Sequence, residues 1–210
     1  MLLPSGSLKA AGRMKIILIL VTMFYALSFL AGWCLVSARV PFAMEIKRGV
    51  HEMVLTEQPF LSVINLIRRG ELLKAIIATF LVNFIVGAFL TTTLPGIIPF
   101  VGVLVIAGVS LARGFTIGVT YPEVLAASPV SFLVGMGTLL LELGAYVFSG
   151  AAGISAALAP LFPKRYAVRS RFAAFKAAWF DAFQIFLIVA VFLILGAIWE
   201  MTGLFLLTRG

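Results

Sequence analysis

The sequence predicts an all-α, polytopic helical membrane protein of about five transmembrane helices, and three observations carry that expectation. The 210 residues are 62% hydrophobic and only 11% charged, with a mean hydropathy of +1.16, which leaves too little polar surface to cover a water-soluble globule. The apolar residues gather into long runs, and about 20 such residues in a row cross the hydrocarbon layer as one helix. Basic residues cluster between the runs, at Lys9, Arg13 and Lys15 and again over residues 164–176. Anionic lipid headgroups account for that placement, so the formal net charge of +8 points to membrane lipids as partners and not to nucleic acid.

Span one covers residues 14–37 behind a basic flank. Val36 and Ala38 fit a signal-peptide cleavage point, yet the run is long for such a segment, and an uncleaved first span is expected. Residues 39–73 mix charge with hydrophobe and read as an interfacial region. Met44, Lys47, Arg48, His51 and Glu52 permit one short helix, and Phe60, Leu61, Ile64 and Ile67 recur at helical spacing beside Arg68 and Arg69, as an interfacial helix requires. The alternative is a loosely structured loop. Span two follows at 74–93 and span three at 97–119, separated by a tight turn at Leu94, Pro95 and Gly96, with Pro99 near the first turn of span three. A compact connection is expected through Tyr121, Pro122, Glu123, Ser128 and Pro129. Span four occupies 130–160 within an apolar run of 33 residues, about 50 Å as one helix against roughly 30 Å of hydrocarbon. It must tilt, break or leave the membrane early, with Gly150 and Gly153 as candidate breaks and Pro160 and Pro163 as its end. Span five takes residues 180–206, and the whole chain forms a single transmembrane domain.

Placing the N-terminus inside also puts Lys164, Arg165, Arg169, Arg171 and Lys176 inside, facing headgroups, with no acidic residue in either basic segment. Basic loops favour the cytoplasmic side, so the expected orientation in the cell membrane is N-terminus cytoplasmic, C-terminus outside.

Polar groups within the spans are the candidate functional residues, since burying them in a bilayer is costly. Glu142 has at least ten apolar-rich residues on either side. Gly135, Thr138, Glu142, Ala145, Ser149 and Ala152 are spaced by three and four, which puts them on one small, polar helical stripe suited to close helix packing. Ala75, Thr79, Asn83 and Gly87 form a second such stripe, where the amide suits an interhelical bridge. Arg113 either faces Glu142 from span three, which lowers the cost of burying each, or ends its span and snorkels to the headgroups. Glu200 lies deep near the end of span five beside Gly196 and Gly203, while Asp181 follows the basic segment and is placed to neutralise it. Cys34 and His51 are the only residues of their kinds, which removes disulfides, zinc clusters and histidine triads; no catalytic residue, metal or cofactor is expected.

Residues 80–89, Phe80 through Asn83 to Phe89, resemble the Phe-x-x-Asn span of the stage II sporulation protein M family of integral membrane proteins. Gly137, Glu142, Leu143 and Ala145 are similar to that family's Gly-then-Glu-Leu-x-Ala element, with Gly153 matching a later glycine. Ala197, Ile198, Trp199 and Glu200 resemble the acidic element of its last span. The Pro-His-Gly that commonly precedes the family's glutamate is replaced by Gly135, Met136 and Gly137, and the family's Asn-Gly after the second span is not evident. The resemblance implies five spans, N-in and C-out, and assembly with extracytoplasmic hydrolases in spore formers.

The first functional expectation is therefore a non-enzymatic scaffold or complex subunit that recruits other membrane or extracytoplasmic proteins, or copies of itself. The alternative is a small transporter or permease-like subunit with a buried Glu142 site, because transporters place acids and broken helices at mid-membrane. An intramembrane lipid-modifying enzyme built on Glu142, Arg113 and Asn83 is a third, disfavoured reading, since the chain has one histidine with which to build a site. Convergence of Asn83, Arg113, Glu142 and Glu200 on a cavity would favour a site, and separate packed contacts would favour scaffolding.

Overall fold

A computed structural model of the chain describes residues 5–208. It is all-helical, with five helical segments long and apolar enough to cross a membrane among the described residues. Helix α1 (Ser5–Arg13) leads through buried Met14 into the first span, α2 (Lys15–Ser37). Two short amphipathic helices, α3 (Pro41–Thr56) and α4 (Phe60–Arg68), fill the interfacial region. The second span begins as α5 (Leu72–Leu81), widens into a π-helical segment (Val82–Leu90), and ends in a 3₁₀ turn (Leu94–Ile97). Three long helices complete the bundle: α6 (Val101–Ala127), α7 (Pro129–Leu158) and α8 (Arg171–Leu207).

Small residues set how closely the helices approach. On α6, a Cβ at Gly118 would lie 2.1 Å from the Phe29 carbonyl oxygen and one at Gly114 2.8 Å from that of Tyr25, while one at Gly32 of α2 would lie 2.5 Å from the Phe115 carbonyl. These two helices therefore touch backbone to backbone, a packing driven in lipid by dispersion and not by expulsion of water. Helices α7 and α8 run antiparallel, with Gly203 against Val134, Gly137 against Trp199 and Gly144 against Phe192. The Trp199 indole N–H donates to the Val134 carbonyl at 3.0 Å. The central core unites Val21 and Tyr25 of α2, Ile106 of α6, Ala145 and Tyr146 of α7, and Ile185, Val189 and Leu193 of α8.

Several boundaries differ from the expectation. Helix α6 does not stop at 119 but continues through Tyr121, Pro122 and Glu123 to Ala127; a proline removes one hydrogen bond without ending a helix whose neighbours hold it. The turn is confined to Ser128, whose Oγ accepts from the Ser131 N–H at 3.0 Å as an N-cap with Pro129 at the first helical position. Helix α7 has no break at Gly150 or Gly153. Those glycines are contact points instead, since a Cβ at Gly153 would lie 2.5 Å from the Thr92 carbonyl oxygen and one at Gly150 3.3 Å from Val21. The last helix starts at Arg171, nine residues before the expected boundary, because the basic segment's second half is helical and capped by Ser170.

Asp181 consequently sits inside α8, 3% exposed. It does not neutralise the preceding segment as expected. The Arg13 Nε donates to its Oδ2 at 2.7 Å, and an Arg13 Nη donates to its Oδ1. That hydrogen bond holds the Arg13 guanidinium above its ordinary pKa. Ser7 Oγ donates to the Gln184 carbonyl at 2.9 Å, so α1 is fastened to α8 along its length.

Candidate functional site

The π-helical segment, α7 and α8 each contribute one polar side chain to a common point. Asn83 lies in the π segment, where the wider turn displaces side chains from regular helical register and often marks a functional position. Its Nδ2 donates to Glu142 Oε1 at 2.5 Å. Glu142 is about 20 Å along α7 from Pro129 and about 24 Å from Leu158 at 1.5 Å per residue, which is the middle of the span. Gly196 of α8 packs against it, a Cβ there lying 3.4 Å from Glu142 Cγ. That close approach brings Glu200, one turn on, to the same cavity.

The cavity measures about 210 Å³, and Asn83, Glu142 and Glu200 are its charged or amide-bearing walls. Most of its remaining walls are apolar: Val54 of α3, Phe60, Val63 and Ile64 of α4, and Met201 and Leu204 of α8, with Pro59 and Val82. Thr79, one turn before Asn83, also lines it. Its Oγ1 is buried and has no protein hydrogen-bond partner, although hydroxyls buried at this level normally find one. A second cavity of about 400 Å³ borders Glu200 from the other side, lined by Tyr121, Ser131, Gly135 and Thr138. Thr138 Oγ1 is likewise buried without a partner. Glu200 thus stands between two cavities, each with an unpartnered hydroxyl.

Arg113 makes neither of the direct contacts expected of it, although its charge still bears on the Glu142 carboxyl from nearby. It forms no ion pair with Glu142 and does not snorkel outward. Its guanidinium reaches the second span, donating to Thr91 Oγ1 at 3.1 Å and to the Gly87 carbonyl at 3.4 Å, and lies 4.0 Å above the Tyr146 ring. Gly87 permits this, since a Cβ there would lie 2.8 Å from the Tyr146 hydroxyl. The carbonyl, hydroxyl and aromatic face satisfy the guanidinium that would otherwise seek a carboxylate. Tyr146 is one turn from Glu142, so a permanently charged arginine lies just beyond the carboxyl pair, outside the cavity walls.

The other candidate residues divide between packing and surface. Ser149 is buried in a tie between spans, its Oγ 2.8 Å from Thr92 Oγ1 and its carbonyl accepting from Thr93 Oγ1 at 2.9 Å. Gly135 lets Leu125 approach to 3.1 Å of its Cβ position. Lys164, Arg165, Arg169, Arg171 and Lys176 are all exposed, and Arg165 donates to the Arg13 carbonyl. Sequence reasoning missed the parts played by Tyr146, Tyr121 and the α4 face. The one available signal was Tyr146 standing four residues after Glu142 on a helix.

Among the described residues, no three His, Cys, Asp or Glu side chains gather as a metal site would require. No family model matches the chain, nor does any curated protein or solved structure.

Proposed function

We propose that the Asn83, Glu142 and Glu200 cavity binds a small organic cation, and that the protein is a small membrane transporter or permease-like subunit. The observation that carries this is the convergence of two carboxyls within the spans and an amide on one cavity whose other walls, apart from Thr79, are apolar. Carboxyl oxygens suit an ammonium group, while the side chains of α4 and α8 suit an alkyl body, the combination common to small-molecule sites. Phe60 supplies an aromatic face for the same charge. In proteoliposomes, radiolabelled butylammonium uptake is expected above that of empty liposomes and is lost in Glu142→Gln. Equal uptake in protein-bearing and empty liposomes counts against the reading.

A second reading is the scaffold, and it draws on a specific feature. The α3–α4 pair presents exposed Phe42 and Leu55 at one end of the bundle, a surface on which a partner protein would dock, and the reading also draws on the resemblance of the Phe80–Phe89, Gly137–Ala145 and Ala197–Glu200 stretches to the stage II sporulation protein M family. Purification from native membranes in mild detergent is expected to recover a stoichiometric partner if this reading is right. We place the protein in the cell membrane with the α1 end cytoplasmic, an orientation that rests on the eight Lys and Arg over residues 1–15 and 164–176.

A further inference from the structure

The face of the bundle that carries α1 holds a further concavity, separate from the two that border Glu200. It encloses about 370 Å³ between the start of the first span, the 3₁₀ turn Pro163–Tyr166 and α8, and Arg13, Arg165, Tyr166, Phe180 and Asp181 line it. We propose that this pocket binds the phosphate of an anionic phospholipid, holding one lipid at a fixed place on the bundle.

The charges favour an anion despite the aspartate. Asp181 is 3% exposed, and both its oxygens are occupied by Arg13, through Nε and one Nη, so its charge is spent within the protein. Arg13 keeps a second Nη. Arg165 donates one Nη to the Arg13 carbonyl, a bond that fixes its position over the pocket and leaves its Nε and other Nη available. Two guanidiniums side by side with spare donors are the arrangement that grips phosphate oxygens. Across residues 1–38 and 153–180 the chain has no acidic residue at all, so nothing else on this face competes for them.

The pocket is also shaped for a lipid and not only for an ion. Phe180 is 63% exposed and Phe162, just before the 3₁₀ turn, 58% exposed, which places apolar surface directly beside the guanidiniums. Half-buried Tyr166 is pinned by a 2.8 Å hydrogen bond to Ser155, so the turn that carries Arg165 is held against α7. A basic pocket between spans with an apolar flank is the pattern by which membrane proteins select anionic headgroups.

Native mass spectrometry of the full chain, released from detergent after exposure to phosphatidylglycerol or phosphatidylcholine, tests this directly. One phosphatidylglycerol is expected to remain bound per chain, with phosphatidylcholine retained far less. Arg165→Gln is expected to weaken that retention about fivefold, the loss of one cation near a headgroup. Arg171→Gln removes the same charge from an exposed position outside the pocket and is expected to leave retention unchanged. Equal retention of the two lipids, or equal weakening by the two substitutions, overturns the proposal. Full competition of bound phosphatidylglycerol by millimolar inorganic phosphate would overturn its lipid half, because a free anion would then suffice. Both variants keep the Arg13–Asp181 pair, so a parallel melting curve matching wild type separates lost binding from lost folding.

Discussion

Glu142 is the residue on which two accounts diverge. If its 2.5 Å bond to Asn83 only holds spans together, Gln keeps the shape and a hydrogen-bonding oxygen, whereas Leu leaves the Asn83 amide unpaired. An interhelical hydrogen bond in a membrane contributes about 0.6 to 2 kcal/mol, and an orphaned amide costs more. Glu142→Leu is therefore expected to lower the detergent melting temperature clearly, and Glu142→Gln hardly at all; a Leu variant as stable as wild type would remove the bond from the account. Arg13 offers a second test. Replacing it with Gln strands Asp181, 4% exposed at its side chain, while Arg13's own side chain is 41% exposed, so solvent screening brings the cost well below that of a fully buried pair, to about 1 to 2 kcal/mol. The pH dependence has a definite sign. The Arg13 pKa is raised in the folded state, so its contribution is fully present below the ordinary arginine value and is lost only as pH rises past it. The difference in melting temperature between wild type and Arg13→Gln is expected to stay constant from about pH 6 to 9. Glu142, Asn83 and Glu200 were legible in the sequence because a polar residue in a long apolar run is conspicuous. The Arg13–Asp181 pair was not, because the partners are 168 residues apart and Asp181, at the very start of its run beside the basic segment, reads as that segment's counter-charge.

Helices pack here through glycine and serine faces, and the α2–α6 seam makes the sharpest element-scale prediction. Gly118→Val would place a branched side chain where even a Cβ lies 2.1 Å from the Phe29 carbonyl. Backbone cannot yield as a side-chain tip does, so the seam must open; a loss of about 1 to 3 kcal/mol is expected. Gly108→Val is the matched control on the same helix, since nothing lies within 4 Å of a Cβ there. Melting temperatures of the two variants decide the point: equal destabilisation would refute the packing account. At this scale, hydropathy located every span, and the amphipathic spacing of Phe60, Leu61, Ile64 and Ile67 anticipated α4. Boundaries were less legible. Pro122 and Gly153 read as breaks by local propensity, yet tertiary contact keeps both inside continuous helices, because a helix in lipid has no water to satisfy backbone groups freed by a break.

For the whole molecule, the two ends of the bundle differ in charge, and the proposed N-in orientation rests on that asymmetry. In a Cys34→Ser background, Gln58→Cys beside α4 is expected to react with a membrane-impermeant maleimide in intact cells, and Lys164→Cys only after permeabilisation; the opposite pattern would invert the protein. How the spans converge could not be read from sequence, since the depth of Asn83 relative to Glu142 and Glu200 depends on helix stagger and on the π segment. Nor could the roof that α4 and Val54 give the cavity be foreseen from a single strand of letters. The most direct test of the central claim is thermal stabilisation of the purified full chain by butylammonium, with 1-butanol as the uncharged match. The account predicts a saturable rise in melting temperature with butylammonium but not with butanol, present in wild type and absent in Glu142→Gln, which folds normally. A rise of the same size in Glu142→Gln, or from butanol, would contradict it.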